Sequence, residues 1–276
     1  MSIQIIIRNK DLFKKKIDFN QMISSLKLDY GAYDDFSVLE HKKFYQTNQC
    51  ILFNPKRIGL GIFFDGNKMN KGFITIVLQT FSTLNEIECL YDIVKYISEH
   101  YKKMDMYVNE EYITYGVFLS LKEKIQKIAL DNLTLGCKRT IDYLYDLRMA
   151  FNPITLSEEI REKFGYSNNL EEFEEYIHNK QKDKIYYAAP KLKENIAYYT
   201  LKENCISIFP LNGNDYYNDN EASHVFIQFE GLEEKYSYKK FINIFKSNEK
   251  YDDNHIYIKE MGQIEINNII NKLKEN

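Results

Sequence analysis

A duplication is the feature that most constrains how this chain can fold. Phe36-Ser37-Val38-Leu39-Glu40-His41-Lys42, with Ile51-Leu52-Phe53-Asn54-Pro55-Lys56 behind it, has a counterpart in Phe173-Glu174-Glu175-Tyr176-Ile177-His178-Asn179, with Ile185-Tyr186-Tyr187-Ala188-Ala189-Pro190-Lys191 behind it. A repeat should give one nearly constant offset along the chain. Phe36 to Phe173, His41 to His178, and Ile17-Asp18-Phe19 to Ile154-Thr155-Leu156 are each 137 positions apart, Pro55 to Pro190 is 135, and Ile3–Ile7 to Ile141–Tyr145 is 138. For Met106-Tyr107-Val108 and Ile256-Tyr257-Ile258 the offset grows to 150, which predicts an insertion in the second copy. The turn-rich run Leu211–Asn220, within 210–224, has the composition of a surface insertion. The units predicted are 1–137 and 138–276. Few matched residues are identical, so the alternative is two halves built by similar rules that fall into register by chance.

With 276 residues, each half has the length of an ordinary domain and can bury a core of its own. Hydrophobic content of 44% beside 28% charged residues is that of a globular chain and not of a disordered one. A formal charge of -3, from 37 basic and 40 acidic side chains, gives no global field to attract nucleic acid. A local basic cluster would have to be assembled from Lys14, Lys15, Lys16, Lys42, Lys43, Lys56 and Arg57. Cys50, Cys89, Cys137 and Cys205 are far apart, lie in or beside apolar runs and form no Cys-x-x-Cys pair, so they read as buried thiols of a reducing compartment. The apolar run at Ile5–Ile7 is too short for a signal peptide, and no segment reaches the ~18 apolar residues of a membrane span. A cytoplasmic location follows as the expectation.

Periodicity sets the expected order of elements. Ile3–Ile7 reads as a first strand, and a helix with Asp18 as N-cap carries Met22, Ile23 and Leu26. The stretch Phe36–Phe44 places Phe36, Leu39 and either Lys43 or Phe44 on one helical face. Strands at Cys50–Phe53, Ile58–Phe64 and Gly72–Phe81, joined by Asp65-Gly66-Asn67, make an antiparallel meander. Thr83 and Glu86 have capping-box spacing ahead of an apolar stripe from Ile87 to Tyr101. An edge strand at Met104–Val108, a helix over Tyr115–Ile128 and a connector at Asp131–Arg139 complete the first half. Helices from Ser157, Ser237 and Ile266 and strands near 184–188, 196–201, 206–209, 224–229 and 255–258 are expected in the second. The fold class predicted is α+β: two similar tandem units, each a mainly antiparallel sheet with helices packed on it.

The chemistry in the sequence is sparse. No two of the five histidines lie within five residues of each other, so no local zinc motif exists and no metal or cofactor is expected. Gly59-Leu60-Gly61 lacks the third glycine and the helix start of a dinucleotide loop, and reads as a strand with close backbone approach. The paired carboxylates Asp34-Asp35, Glu110-Glu111, Glu158-Glu159 and Asp252-Asp253 suit caps and solvated turns, because adjacent side chains diverge. No catalytic residue is assigned. Binding candidates are His41 and His178, which are repeat partners, and the acidic run Glu171, Glu172, Glu174 and Glu175. The structural alternatives are a helix-end imidazole and the solvated side of a helix.

In Ile3-Gln4-Ile5-Ile6-Ile7-Arg8-Asn9-Lys10, in Ile185–Lys191, in Ala197-Tyr198-Tyr199-Thr200-Leu201-Lys202-Glu203-Asn204 and in Ile208-Phe209-Pro210, the chain resembles a bacterial family of the Firmicutes type, domain of unknown function 4299. The resemblance implies a bacterial cytoplasmic protein and carries over no catalytic residue. The expected function is a non-enzymatic protein-binding module, for example an immunity or antitoxin-like protein whose acidic face covers a basic partner. The alternative is an enzyme or small-ligand binder with a pocket between the units. A membrane partner is not expected, and nucleic acid is the least favoured.

Overall fold

A computed structural model describes residues 2–11, 16–33, 39–138, 145–147, 149–151, 154–182, 186–188, 196–202, 205–208, 224–229, 232–247, 256–258 and 263–275. Contacts divide the chain into two compact units. One comprises Met1–Thr140, Leu147–Pro153 and Glu158–Lys182, and the other Ile141–Asp146, Ile154–Ser157 and Asp183–Asn276.

The first unit holds strands β1 (Ile3–Asn9), β2 (Asp29–Tyr33), β3 (Leu39–His41), β4 (Gln49–Asn54), β5 (Arg57–Asp65), β6 (Phe73–Leu78), β7 (Met104–Val108) and β8 (Glu111–Ile113). Its helices are α1 (Phe19–Leu26), α2 (Leu84–His100), α3 (Tyr115–Ser120), α4 (Lys122–Lys138), α5 (Glu158–Gly165) and α6 (Leu170–Gln181). The strands make one eight-stranded sheet in the order β3-β2-β4-β5-β6-β1-β7-β8. Every neighbouring pair is antiparallel.

Period-two alternation sets the faces of this sheet. Ile3, Ile5 and Ile7 of β1 are buried, whereas Gln4 and Arg8 are exposed. Pairing Ile5 with Ile76, Ile7 with Ile74, and Ile7 with Met106 lines the apolar side chains up across three strands. Helix α2 covers this inner face and also contacts α1, α4 and α6. Ile87, Leu90, Ile93, Val94 and Ile97 are fully buried along it, as their helical spacing requires. Both halves of the capping box form at its start: the Glu86 N–H donates to Thr83 Oγ1 at 3.3 Å, and the Thr83 N–H to Glu86 Oε2 at 2.8 Å.

The meander is interrupted inside β5. Leu52 pairs with Ile62 and Asn54 with Arg57, so the single residue Phe53 of β4 stands opposite Ile58, Gly59, Leu60 and Gly61 of β5. This is a special bulge with several extra residues, and it breaks the ladder that would otherwise bond those four residues. Gly61 sits at φ +81°, and a Cβ there would lie 2.2 Å from Ile51 Cγ2. A Cβ on Gly59 would lie 2.8 Å from Glu86 Oε1, so the close approach expected at Gly59-Leu60-Gly61 is real and the neighbour is a carboxylate. Behind the bulge, on the outer face, Ala150 and Phe151 join Leu39, Ile51, Phe53 and Ile58 in a buried cluster. The β2–β5 half of the sheet is therefore covered on both faces.

Three local expectations are corrected. The helix expected over Phe36–Phe44 is instead strand β3 at Leu39–His41, with 34–38 outside the described residues. Gly31 leaves room for β3, since a Cβ at that position would meet the Glu40 carbonyl oxygen at 2.5 Å. The helix expected over Tyr115–Ile128 is two helices, the first capped at Leu121, and the second runs through the expected connector to Lys138. Gly136, read as a connector glycine, is inside α4, and glycine suits the position because the Phe81 ring would lie 2.5 Å from a Cβ there. The strand Met104–Val108 is second from the edge, and β8 is outermost.

Strands β9 (Tyr145–Leu147) and β10 (Ile154–Leu156) form a two-stranded sheet. Strands β11 (Tyr186–Ala188), β12 (Ile196–Lys202), β13 (Cys205–Ile208), β14 (His224–Phe229), β15 (Leu232–Ser237) and β16 (Ile256–Ile258) follow, with helices α7 (Tyr238–Phe245) and α8 (Gln263–Lys274). The order β13-β12-β14-β15 contains one parallel pair, β12 with β14, and β11 pairs with β16. Tyr236, Phe241, Phe245, Ile266, Ile269 and Leu273 are buried. The fold class is α+β as expected. The internal repeat is not confirmed by the segments that suggested it: His41 lies on β3 and His178 on α6, and Phe19 opens α1 whereas Leu156 ends β10. The expected insertion lies outside the described residues. Among the described residues no helix is long and apolar enough to cross a membrane.

The bulge yields a stability prediction. Gly61→Ala adds a β-carbon at a positive φ and against both Ile51 and the Leu52 carbonyl, and should destabilise the protein by about 2–4 kcal/mol. Urea unfolding followed by circular dichroism measures it, and an unchanged midpoint would contradict the bulge geometry.

Candidate functional site

Two places in the first unit gather chemistry-bearing side chains, and the first is the β5 bulge. A broken ladder leaves buried backbone groups that need partners from elsewhere. The Gly61 N–H donates to Glu86 Oε1, while Oε2 of the same carboxylate takes the Thr83 N–H. Gln79 Nε2 donates to the carbonyl oxygens of Leu60 and Gly61, at 3.1 Å each. The Gly59 carbonyl accepts from Ala150 N–H at 2.9 Å. The Ile58 N–H donates to His178 Nδ1 at 3.1 Å, which fixes the neutral imidazole with its proton on Nε2. Each of the four bulge residues is thus bonded to a group outside the meander pairing.

Charge is distributed around this knot. Burial pushes the Glu86 carboxyl up from 4.5 to about 7, against the pull of the Thr83 and Gly61 N–H groups, and the nearby Glu174 carboxylate adds to the rise. Glu174, its side chain only 12% exposed, accepts the Asn85 N–H at 2.6 Å and lies 3.6 Å from Arg57. Burial lowers the His178 pKa, as do the Arg57 and Lys182 charges, with Glu174 opposing. Burial also drives the Cys89 thiol up to about 12, helped by Glu86 and other carboxylates, so it is no thiolate nucleophile. A raised carboxyl beside a cleft is the pattern of a general acid. Here both Glu86 oxygens are already engaged, and the cleft lined by Leu52, Arg57, Gly59, Glu86 and Cys89 leaves no space for a water-sized molecule. The knot is structural.

The expected binding residues scatter. His41 is exposed on β3, with Nδ1 3.8 Å from Asp29 Oδ2 and its ring 5.2 Å from that of Phe151. His178 is half-buried and bonded as described. Of the acidic run, Glu174 turns inward, while Glu171, Glu172 and Glu175 remain exposed. Glu172 lies 3.9 Å from Lys163. Among the described residues, no three His, Cys, Asp or Glu side chains converge as a metal site requires.

The second place is the outer face of β6, β1, β7 and β8. Its alternate positions are Phe73, Thr75 and Val77 on β6, Gln4, Ile6 and Arg8 on β1, Asp105 and Tyr107 on β7 and Tyr112 on β8; Phe73, Arg8 and Asp105 are direct cross-strand neighbours, as are Thr75, Ile6, Tyr107 and Tyr112. Phe73 is 37% exposed and Tyr112 58%. The Arg8 guanidinium lies between two rings, 5.4 Å from the Phe73 centroid and 5.0 Å from that of Tyr107. The Tyr112 ring meets Tyr107 edge-on at 5.8 Å. Sequence reading missed this row. The outward parity of Gln4, Ile6 and Arg8 was visible in β1, but nothing local says which strands flank it.

These features define an α+β protein whose first unit is one eight-stranded antiparallel sheet; among the described residues, packing covers both faces of its β2–β5 half and one face of the rest. The chain belongs to the family described as Domain of unknown function (DUF4299), whose profile covers residues 2–269. That is the family it was expected to resemble. No curated protein and no solved structure matches it.

The knot has a pH signature. Because the Glu86 pKa is raised, the folded state holds that proton more tightly than the unfolded chain. Its stabilising contribution is complete below about 4.5 and is lost as pH rises through about 7. His178, with a lowered pKa, acts in the opposite sense: its contribution is present above 6.5 and is lost as pH falls through the lower folded value. Comparing wild type with Glu86→Gln cancels every group but the first. Their stability difference should move against wild type by roughly 3 kcal/mol between about pH 4 and pH 8. Urea midpoints across that range provide the measurement, and a flat difference would contradict the buried carboxyl.

Proposed function

We propose that this chain is a non-enzymatic protein-binding module, and that it binds through the open outer face of β6, β1, β7 and β8. The observation that carries the reading is the asymmetry of the sheet: strands β2–β5 are covered on both faces, whereas two adjacent ranks of the outer face, Phe73 with Arg8 and Ile6 with Tyr107 and Tyr112, are not covered by any packed element among the described residues. Tyr and Arg are the residue types that most often anchor protein interfaces, because they combine large contact area with a polar tip or fork. Rigid strands hold these anchors in place before any partner arrives, which lowers the ordering cost of binding. A cytoplasmic setting in a bacterium fits the free, buried Cys50, Cys89 and Cys137.

An immunity or antitoxin-like role through the acidic helix has less support, because Glu174 is engaged with Arg57 and Asn85 and leaves Glu171, Glu172 and Glu175 as the exposed charges. An enzyme reading with His41 and His178 as polar contacts is weakened by the commitment of His178 Nδ1 to the Ile58 N–H.

Photo-crosslinking in native cells tests the proposal, with benzoylphenylalanine placed at position 112 and, in a second strain, at 175. A discrete adduct from 112 that disappears when Phe73→Ala is added, with none from 175, is the expected outcome. Adducts from 175 alone, or none from 112, would contradict the open face as the contact surface.

A further inference from the structure

At the centre of the open face lies Arg8, a cation that forms no ion pair among the described residues. Asp105 is the cross-strand neighbour of Arg8, and it is the carboxylate best placed to pair with it. It is taken instead by Lys10, whose Nζ lies 3.2 Å from Asp105 Oδ2. Among the described residues Arg8 has no hydrogen-bond acceptor and no ion-pair partner; it touches the faces of Phe73 and Tyr107. Two rings flank the guanidinium at cation–π distance, and its N–H groups meet no acceptor among the described residues. A planar fork flanked in this way can grip a carboxylate through two parallel bonds, and ring contact on either side reduces the freedom it has to lose.

We propose that Arg8 is the carboxylate-binding centre of this face, and that the partner is a protein segment presenting a Glu or Asp side chain between apolar residues. The inference rests on the open face being the contact surface and adds what the partner must carry. The flanking apolar requirement comes from Phe73 on one side of Arg8 and Tyr107 with Tyr112 on the other, each with exposed ring area that an apolar neighbour of the carboxylate would cover. A phosphate-bearing strand fits less well. Its charges would run on past Arg8 to Glu110 and Glu111, in and beside the β7–β8 turn next to Tyr112, and the chain as a whole carries -3. A single carboxylate needs only the one cation.

The test is an amide chemical-shift titration of the full chain with acetyl-Phe-Glu-Phe-amide, with its Gln counterpart, and with an oligo-dT strand. The Glu peptide should move the resonances of Arg8, Phe73, Tyr107 and Tyr112, including the Arg8 side-chain N–H, at a concentration about tenfold below that needed by the Gln peptide. In Arg8→Gln the two peptides should become equivalent, while resonances of the buried core stay in place. Equal shifts from both peptides at these residues would overturn the role of Arg8 and leave the open face standing as a contact surface. Shifts at other sites, or none from either peptide, would overturn the inference. Salt-sensitive shifts from oligo-dT alone at Tyr107 and Tyr112 would replace it with nucleic-acid binding and would remove the protein-binding reading as well.

Discussion

The Glu86 carboxylate is the point on which the first unit depends. It closes the capping box of α2 through Oε2 and holds the Gly61 N–H of the β5 bulge through Oε1. One side chain therefore sets where the central helix begins and how it sits on the sheet. A buried carboxylate without partners would be untenable, and a bulge with four unpaired backbone positions would be equally so. Each defect satisfies the other. Gly59 and Gly61 are required at this place because a β-carbon on either would collide with Glu86 or with Ile51.

The bulge also explains how the sheet comes to have two unlike halves. Extra residues in β5 reverse which side its chains face, so Ile58 joins the outer cluster with Ile51 and Phe53 while Ile62 and Phe64 stay on the α2 side. The outer cluster draws in Ala150 and Phe151 from beyond α4, and the Phe151 N–H is held by Gln181 of α6 at 2.9 Å. Helix α6 then supplies His178 to the bulge itself. Beyond β6 no such distortion occurs, the alternation of β1 continues unbroken, and its outer side chains remain in solvent. The open face is what the bulge does not reach.

Much of this was legible in the sequence where the signal is local. Thr83 and Glu86 announced the helix they cap, Asp18 the helix it caps, and Asp65-Gly66 the turn between β5 and β6. The class α+β followed from strands arriving in runs. What was not legible depended on distant partners. Leu39–His41 looked helical because nothing nearby shows that Gly31 opens a slot for a strand. Gly136 looked like a connector because the Phe81 ring that excludes a β-carbon is far away in sequence. His178 stood out through its match with His41, yet its place was decided by an unpaired N–H on a strand 120 residues earlier. Glu86 has the spacing of a cap, and its second bond to Gly61 needed the bulge to exist. The Arg8 row needed the strand order.

Hydrogen exchange at individual amides tests the central claim most directly. If Glu86 and His178 hold the bulge, the Gly61 and Ile58 amides should exchange as slowly as those of Ile5 and Ile76 in the middle of the sheet, although neither is bonded to a neighbouring strand. Exchange at those two positions at the rate of an unprotected amide would mean that the bulge is open to water and that neither side chain anchors it.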